Sequence, residues 1–84
     1  MHTSIIKTTI DVRNIIPRER HPLVSGSFLR LAPGESIMLI NDHDPRPLFY
    51  EFRNELGEKF FWDYVEKGPE IWQVQIGKTA HCHS

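Results

Sequence analysis

Eighty-four residues with ten basic and eleven acidic side chains make one small domain of net charge -1. That balance argues against a nucleic-acid partner, which needs a continuous positive surface for counterion release. Apolar residues at 39% and charged residues at 25% are enough to pack a core, so wholesale disorder is excluded. The opening MHTSIIKTTI lacks the apolar stretch of a signal peptide, and no run approaches the ~20 apolar residues of a membrane helix. A cytoplasmic protein without a membrane partner is the expectation. Its lone Cys82 cannot form an internal disulfide, which agrees with a reducing compartment.

Thr8 to Val12 alternate, with Ile10 and Val12 on one face, and predict a first strand that ends in a loop through Ile15, Ile16 and Pro17. Val24, Phe28 and Leu31 then recur at helical spacing, with Pro22 where a first helical position tolerates a missing N–H. They predict helix one over Pro22 to Leu31. Pro33-Gly34 breaks the chain, and the apolar run Ser36 to Ile40 suits a strand buried on both faces. Leu48, Phe49, Phe52 and Leu56 mark helix two from Arg46 to Leu56, ended by Gly57. KFFWDYVE and EIWQVQIG, joined at Lys67-Gly68-Pro69, read as an antiparallel hairpin, with Trp72, Val74 and Ile76 on one face.

The order is βαβαββ, an α/β (α+β) two-layer sandwich with a four-stranded mixed sheet and two helices on one face. Right-handed crossovers make strands one, two and three point the same way. Residues 1–7 are expected as a flexible lead, 8–77 as the domain and 78–84 as a flexible tail. The aromatic strand from Phe60 to Val65 is apolar on both sides. This predicts cover for the open sheet face, with a second copy of the chain as the candidate.

The carboxyl ends of the parallel strands are where such sheets bind ligands, and this edge collects His21, His43, Asp44, Glu66 and Glu70. Two imidazoles with a carboxylate suit zinc, copper or iron, so His21, His43, Asp44 and Glu66 form the candidate metal set. Asp42 and Asp44 are also candidate caps for the N-terminus of helix two, and His21 for that of helix one. A helix N-terminus there also offers free N–H groups to an anion. Arg18, Glu19 and Arg20 read most simply as a solvated charge run, with gating of the edge for an anionic ligand as the other reading. In the tail, His81, Cys82 and His83 are metal-binding residue types that adjacency alone cannot turn into a tetrahedral site.

Ile10-Asp11-Val12-Arg13-Asn14-Ile15, Leu31-Ala32-Pro33-Gly34-Glu35-Ser36 and Asp44-Pro45 follow an outline that resembles the TusA/SirA-like sulfur carriers. ERHPL, LAPGES, NDHDPRPL and GPEIWQVQIGK resemble more closely the family called domain of unknown function 2249, over Ile10 to Lys78. The carrier resemblance implies a Cys-Pro pair at the start of helix one. This chain has His21-Pro22 instead, and imidazole cannot carry a persulfide, so sulfur transfer is excluded at that position. The second resemblance implies metal and redox companions, cupin or hemerythrin-like proteins among them.

The leading expectation is thus a non-catalytic binding domain that uses His21, His43 and nearby acids for a transition metal or metal cofactor in redox or nitrogen-oxide metabolism. The alternatives are a protein-interaction or regulatory module with structural histidines, or, as the carrier resemblance implies, a sulfur-relay-related protein that lacks the carrier cysteine. An enzyme ranks last, because two layers this small rarely enclose the ~300 Å³ a small-molecule site needs.

Overall fold

The computed structural model describes residues 5–79. The chain runs β1 (Ile5–Asp11), α1 (Pro17–Leu29), β2 (Glu35–Asn41), α2 (Arg46–Leu56), β3 (Phe60–Lys67) and β4 (Trp72–Lys78). The expected order βαβαββ is therefore the one observed. In space the strands lie β1-β2-β4-β3. β1 pairs parallel to β2, and β4 pairs antiparallel to both β2 and β3. β3 consequently points the same way as β1 and β2, although β4 separates it from them. The α2 crossover skips one strand position, and the returning hairpin fills it.

Both helices cover one face of this sheet. Val24 and Phe28 from α1 and Phe52 from α2 meet Ile37 and Leu39 of β2 and Val74 and Ile76 of β4, all at 2% exposure or less. Side chains of this kind each contribute about 1.5–3 kcal/mol when fully buried, so this small cluster dominates the apolar stabilisation. Phe60, Trp62 and Tyr64 extend it along β3 as a row of edge-to-face rings, with centroids 6.5 and 6.4 Å apart.

Several boundaries differ from expectation, three of them by enough to matter. β1 begins at Ile5, because Ile5 and Ile6 pair with Glu35 and Ser36 through a register shift before Thr8, and β4 extends through Lys78. The strands thus reach into both segments expected to be flexible. Helix α1 begins at Pro17, not Pro22. Pro17 meets the requirements of a first helical position equally well, and Pro22 is accommodated inside the helix, where its missing N–H leaves the Arg18 carbonyl without the usual partner. The helix buries only Val24 and Phe28, a sparse pattern that marks its centre better than its start. Helix α2 spans the expected residues and stops at Gly57, whose φ of 66° lies in the left-handed region that favours glycine.

On the other face of the sheet, Phe61 is 8% exposed. Its ring occupies the space where a side chain at position 77 would stand, and Gly77 leaves that space open. The chain itself thereby covers this aromatic. Gln73 and Gln75 make the neighbouring positions of β4 polar.

Candidate ligand-binding cleft

The corner after β2 is organised by one buried amide. Asn41 continues the core-facing alternation of Ile37 and Leu39, and is 5% exposed. Its Oδ1 accepts hydrogen bonds from the Arg20 guanidinium at 3.1 Å and from the backbone N–H of Asp42 at 2.7 Å. Arg20 also donates through Nε to the Ile15 carbonyl at 2.7 Å. This guanidinium ties the loop after β1, the first turn of α1 and the end of β2 into one unit.

Between the N-terminal turns of α1 and α2 lies a cleft of about 390 Å³. Val12, Val24, Leu39, Leu48 and four prolines form its apolar walls, and Arg18, Arg20, His21, Asn41, His43 and Glu51 supply its polar groups. A cavity of ligand size is therefore present in a two-layer domain of 84 residues, contrary to expectation. It forms because α1 starts five residues earlier than the apolar spacing suggests, so that its first turn stands up as a wall.

His21 and His43, 22 positions apart in the chain, both line this cleft. The imidazole of His21 sits on the second turn of α1 with Nε2 3.5 Å from Glu51 Oε1 and 3.6 Å from Glu55 Oε2, and makes no hydrogen bond. His43 donates from Nδ1 to Asp42 Oδ1 at 2.7 Å. That hydrogen bond is the main reason the Asp42 carboxyl is held below its usual range, with the Arg20 charge adding to it.

The other candidate metal ligands go elsewhere. Asp44 Oδ1 accepts a 2.6 Å hydrogen bond from the Tyr64 hydroxyl, and its Oδ2 lies 3.5 Å from Arg46. Glu66, beyond the irregularity in β3, accepts from Gln73 Nε2 at 2.8 Å. Glu70 stays exposed in the hairpin turn. The set His21, His43, Asp44 and Glu66 is therefore not assembled. Among the described residues no group of three or more His, Cys, Asp or Glu side chains is placed to hold a metal ion. His81, Cys82 and His83 lie outside the described residues.

The capping roles are corrected too. Pro45 is the N-cap of α2 and Ile16 that of α1, and neither helix has a side-chain cap. His21 is the fifth residue of α1 rather than its boundary. The two aspartates are drawn away by stronger donors, His43 and Arg20 for Asp42 and the Tyr64 phenol for Asp44. Sequence reasoning missed Asn41 and Glu51 as cleft residues, and gave Arg20 only as part of a charge run at the edge. Asn41 was visible in principle, since a period-two reading from Ile37 places a polar side chain on the core face.

A two-layer α/β domain with a cleft at the carboxyl ends of two parallel strands is what the geometry defines. By sequence, the chain matches the family described as "Uncharacterized conserved protein (DUF2249)" over residues 9–78, and it belongs to that family. No curated protein and no solved structure matches it. Among the described residues no helix is long and apolar enough to cross a membrane.

Proposed function

We propose that this protein is a small non-catalytic binding domain that holds a small molecule in the cleft between the N-terminal turns of α1 and α2. The observation that carries the reading is the meeting of His21 and His43 in one cavity of about 390 Å³, within the size range of small-molecule sites. The position supports it, because open α/β sheets bind ligands beyond the carboxyl ends of their strands. The mixed lining supports it as well, with apolar walls to desolvate a ligand and a few polar groups to orient it.

Zinc, copper or iron between the two imidazoles, with a redox role, is the competing occupant. Two histidines in one cleft favour it. Against it, Glu51 is the cleft's single carboxylate, and no three-donor group is assembled among the described residues.

One NMR experiment separates these readings. Labelled protein is titrated with a mixture of small organic fragments and separately with zinc, copper(I) and iron(II). The binding reading expects fragment-induced shifts confined to residues 17–24 and 39–51. Shifts confined to the open sheet face, or to a second groove at the opposite end of the helices that Phe28, Leu56 and Lys78 line, overturn it. The metal reading wins if stoichiometric metal perturbs both imidazoles and either His21→Ala or His43→Ala abolishes the response.

A further inference from the structure

We propose that the ligand of this cleft is a small organic anion, with its acidic group held by Asn41, Arg18 and His21 and its apolar body against Val12, Leu39 and Leu48. The inference rests on the binding reading above and adds the chemical class.

Asn41 is the strongest reason. Both groups that meet its Oδ1 are obligate donors, the Arg20 guanidinium and the Asp42 N–H, so chemistry alone sets the amide orientation. The amide nitrogen then faces away from them, and it has no hydrogen-bond partner among the described residues, although the side chain is 5% exposed and lines the cleft. That nitrogen keeps some contact with solvent, so an acceptor bound in the cleft can take the place of the water it meets.

Three further features point to the same ligand charge. Arg18, on the first turn of α1, lines the cleft and has no ion pair or hydrogen bond among the described residues. His21 Nε2 is shielded from solvent and makes no hydrogen bond, with carboxylate oxygens of Glu51 and Glu55 at 3.5 and 3.6 Å. Both helices begin beside the cavity without side-chain caps; α1 has Glu19 in its first turn, but α2 has no acidic residue there, so the positive pole of α2 is not neutralised by its own residues. The opposing charges are Glu51 in the lining, with Asp42, Glu19 in the first turn of α1 and Glu55 beside His21 outside it. Glu51 faces His21, and Asp42 is shared between His43 and Arg20. Two guanidinium charges therefore outweigh the single carboxylate of the lining.

Inorganic oxyanions share the acidic group but not the apolar body, and the cavity walls favour a molecule with both. Benzoate, benzamide and inorganic phosphate are the probes that separate charge from shape. Each is titrated into the folded full chain while the amide resonances of residues 17–24 and 39–51 are followed. Benzoate is expected to bind at least about tenfold tighter than benzamide, as a charge-assisted hydrogen bond exceeds a neutral one. Arg18→Gln should weaken benzoate by about three- to tenfold, a typical loss for one partly solvated charge contact, and leave benzamide unchanged. Asn41→Asp keeps the oxygen that Arg20 and the Asp42 N–H need, replaces the free donor by a second acceptor, and should abolish benzoate binding in a chain that still gives the native spectrum.

Equal binding of benzoate and benzamide in the cleft overturns the anion class and leaves the binding reading standing. An unchanged benzoate affinity in Asn41→Asp overturns the assigned donor and with it the proposal. Phosphate binding without benzoate binding overturns the organic body. If none of the probes, nor the fragment mixture, shifts the cleft residues, both readings fall together.

Discussion

Tyr64 and Asp44 show how a single contact reassigns a residue. The phenol donates to Asp44 Oδ1 at 2.6 Å, and burial first, then this carboxylate, raise the Tyr64 hydroxyl above its ordinary value of 10.0. A group whose pKa is raised on folding stabilises the fold below its unfolded pKa and loses that contribution as pH rises through the folded one. The hydrogen bond should therefore hold through neutral pH and fail only in strong alkali. In a Tyr50→Phe chain, where Tyr64 is the remaining phenol, the phenolate absorbance should rise at higher pH than in a free tyrosine derivative. Asp44→Asn should lower that midpoint by removing the carboxylate charge. A Tyr64 that titrates like the free derivative would mean the contact is absent in solution. Asp44 is thereby a strut between the α2 corner and β3 rather than a cap.

At the scale of the element, α1 carries a local penalty that serves the cleft. A proline inside a helix is disfavoured by roughly 3 kcal/mol relative to alanine, and Pro22 sits in the helix where its N–H would have met the Arg18 carbonyl. It is also part of the cavity wall. Pro22→Ala should stabilise the protein by about 2–2.6 kcal/mol, the helix gain being reduced by roughly 0.4–1 kcal/mol of added unfolded-state entropy. Urea denaturation reads this directly. A loss of stability instead would show that the ring's packing in the wall outweighs the backbone gain. The contrast with α2 is instructive, because α2 has regular apolar spacing and a glycine terminator, and there the expected and observed ends coincide.

For the whole molecule the decisive feature is the placement of β4 between β2 and β3. β4 is hydrogen-bonded on both sides, and Val74 and Ile76 are fully buried. β1 and β3 are edges, and Ile5 and Ile6 are 72% and 45% exposed. Opening free energies follow this order, since edge strands lose fewer contacts when they separate. Native-state hydrogen exchange should find the slowest amides in β4 and the adjoining half of β2, and faster exchange at Ile5 and Ile6. Protection of Ile5 and Ile6 equal to that of Val74 would instead point to an edge covered by a second copy of the chain.

The sequence by itself determined the elements, their order, the layer arrangement and the edge on which a ligand would be sought. Each of these follows from short-range periodicity, from proline and glycine chemistry and from the handedness of crossovers, which operate within one element or between neighbours. It also brought His21 and His43 to a common edge, because both follow parallel strands. Only the tertiary structure decided which side chains share a site. Arg20 with Asn41, Tyr64 with Asp44 and Gln75 with Ser36 are pairs separated by 21, 20 and 39 positions. Their choice of partner depends on the register of strands that never touch in sequence, and on a helix start that two equally placed prolines left ambiguous. The same long-range packing dispersed the four-residue metal set, and at a cavity that the sequence did not announce it left an asparagine donor and an arginine without partners among the described residues.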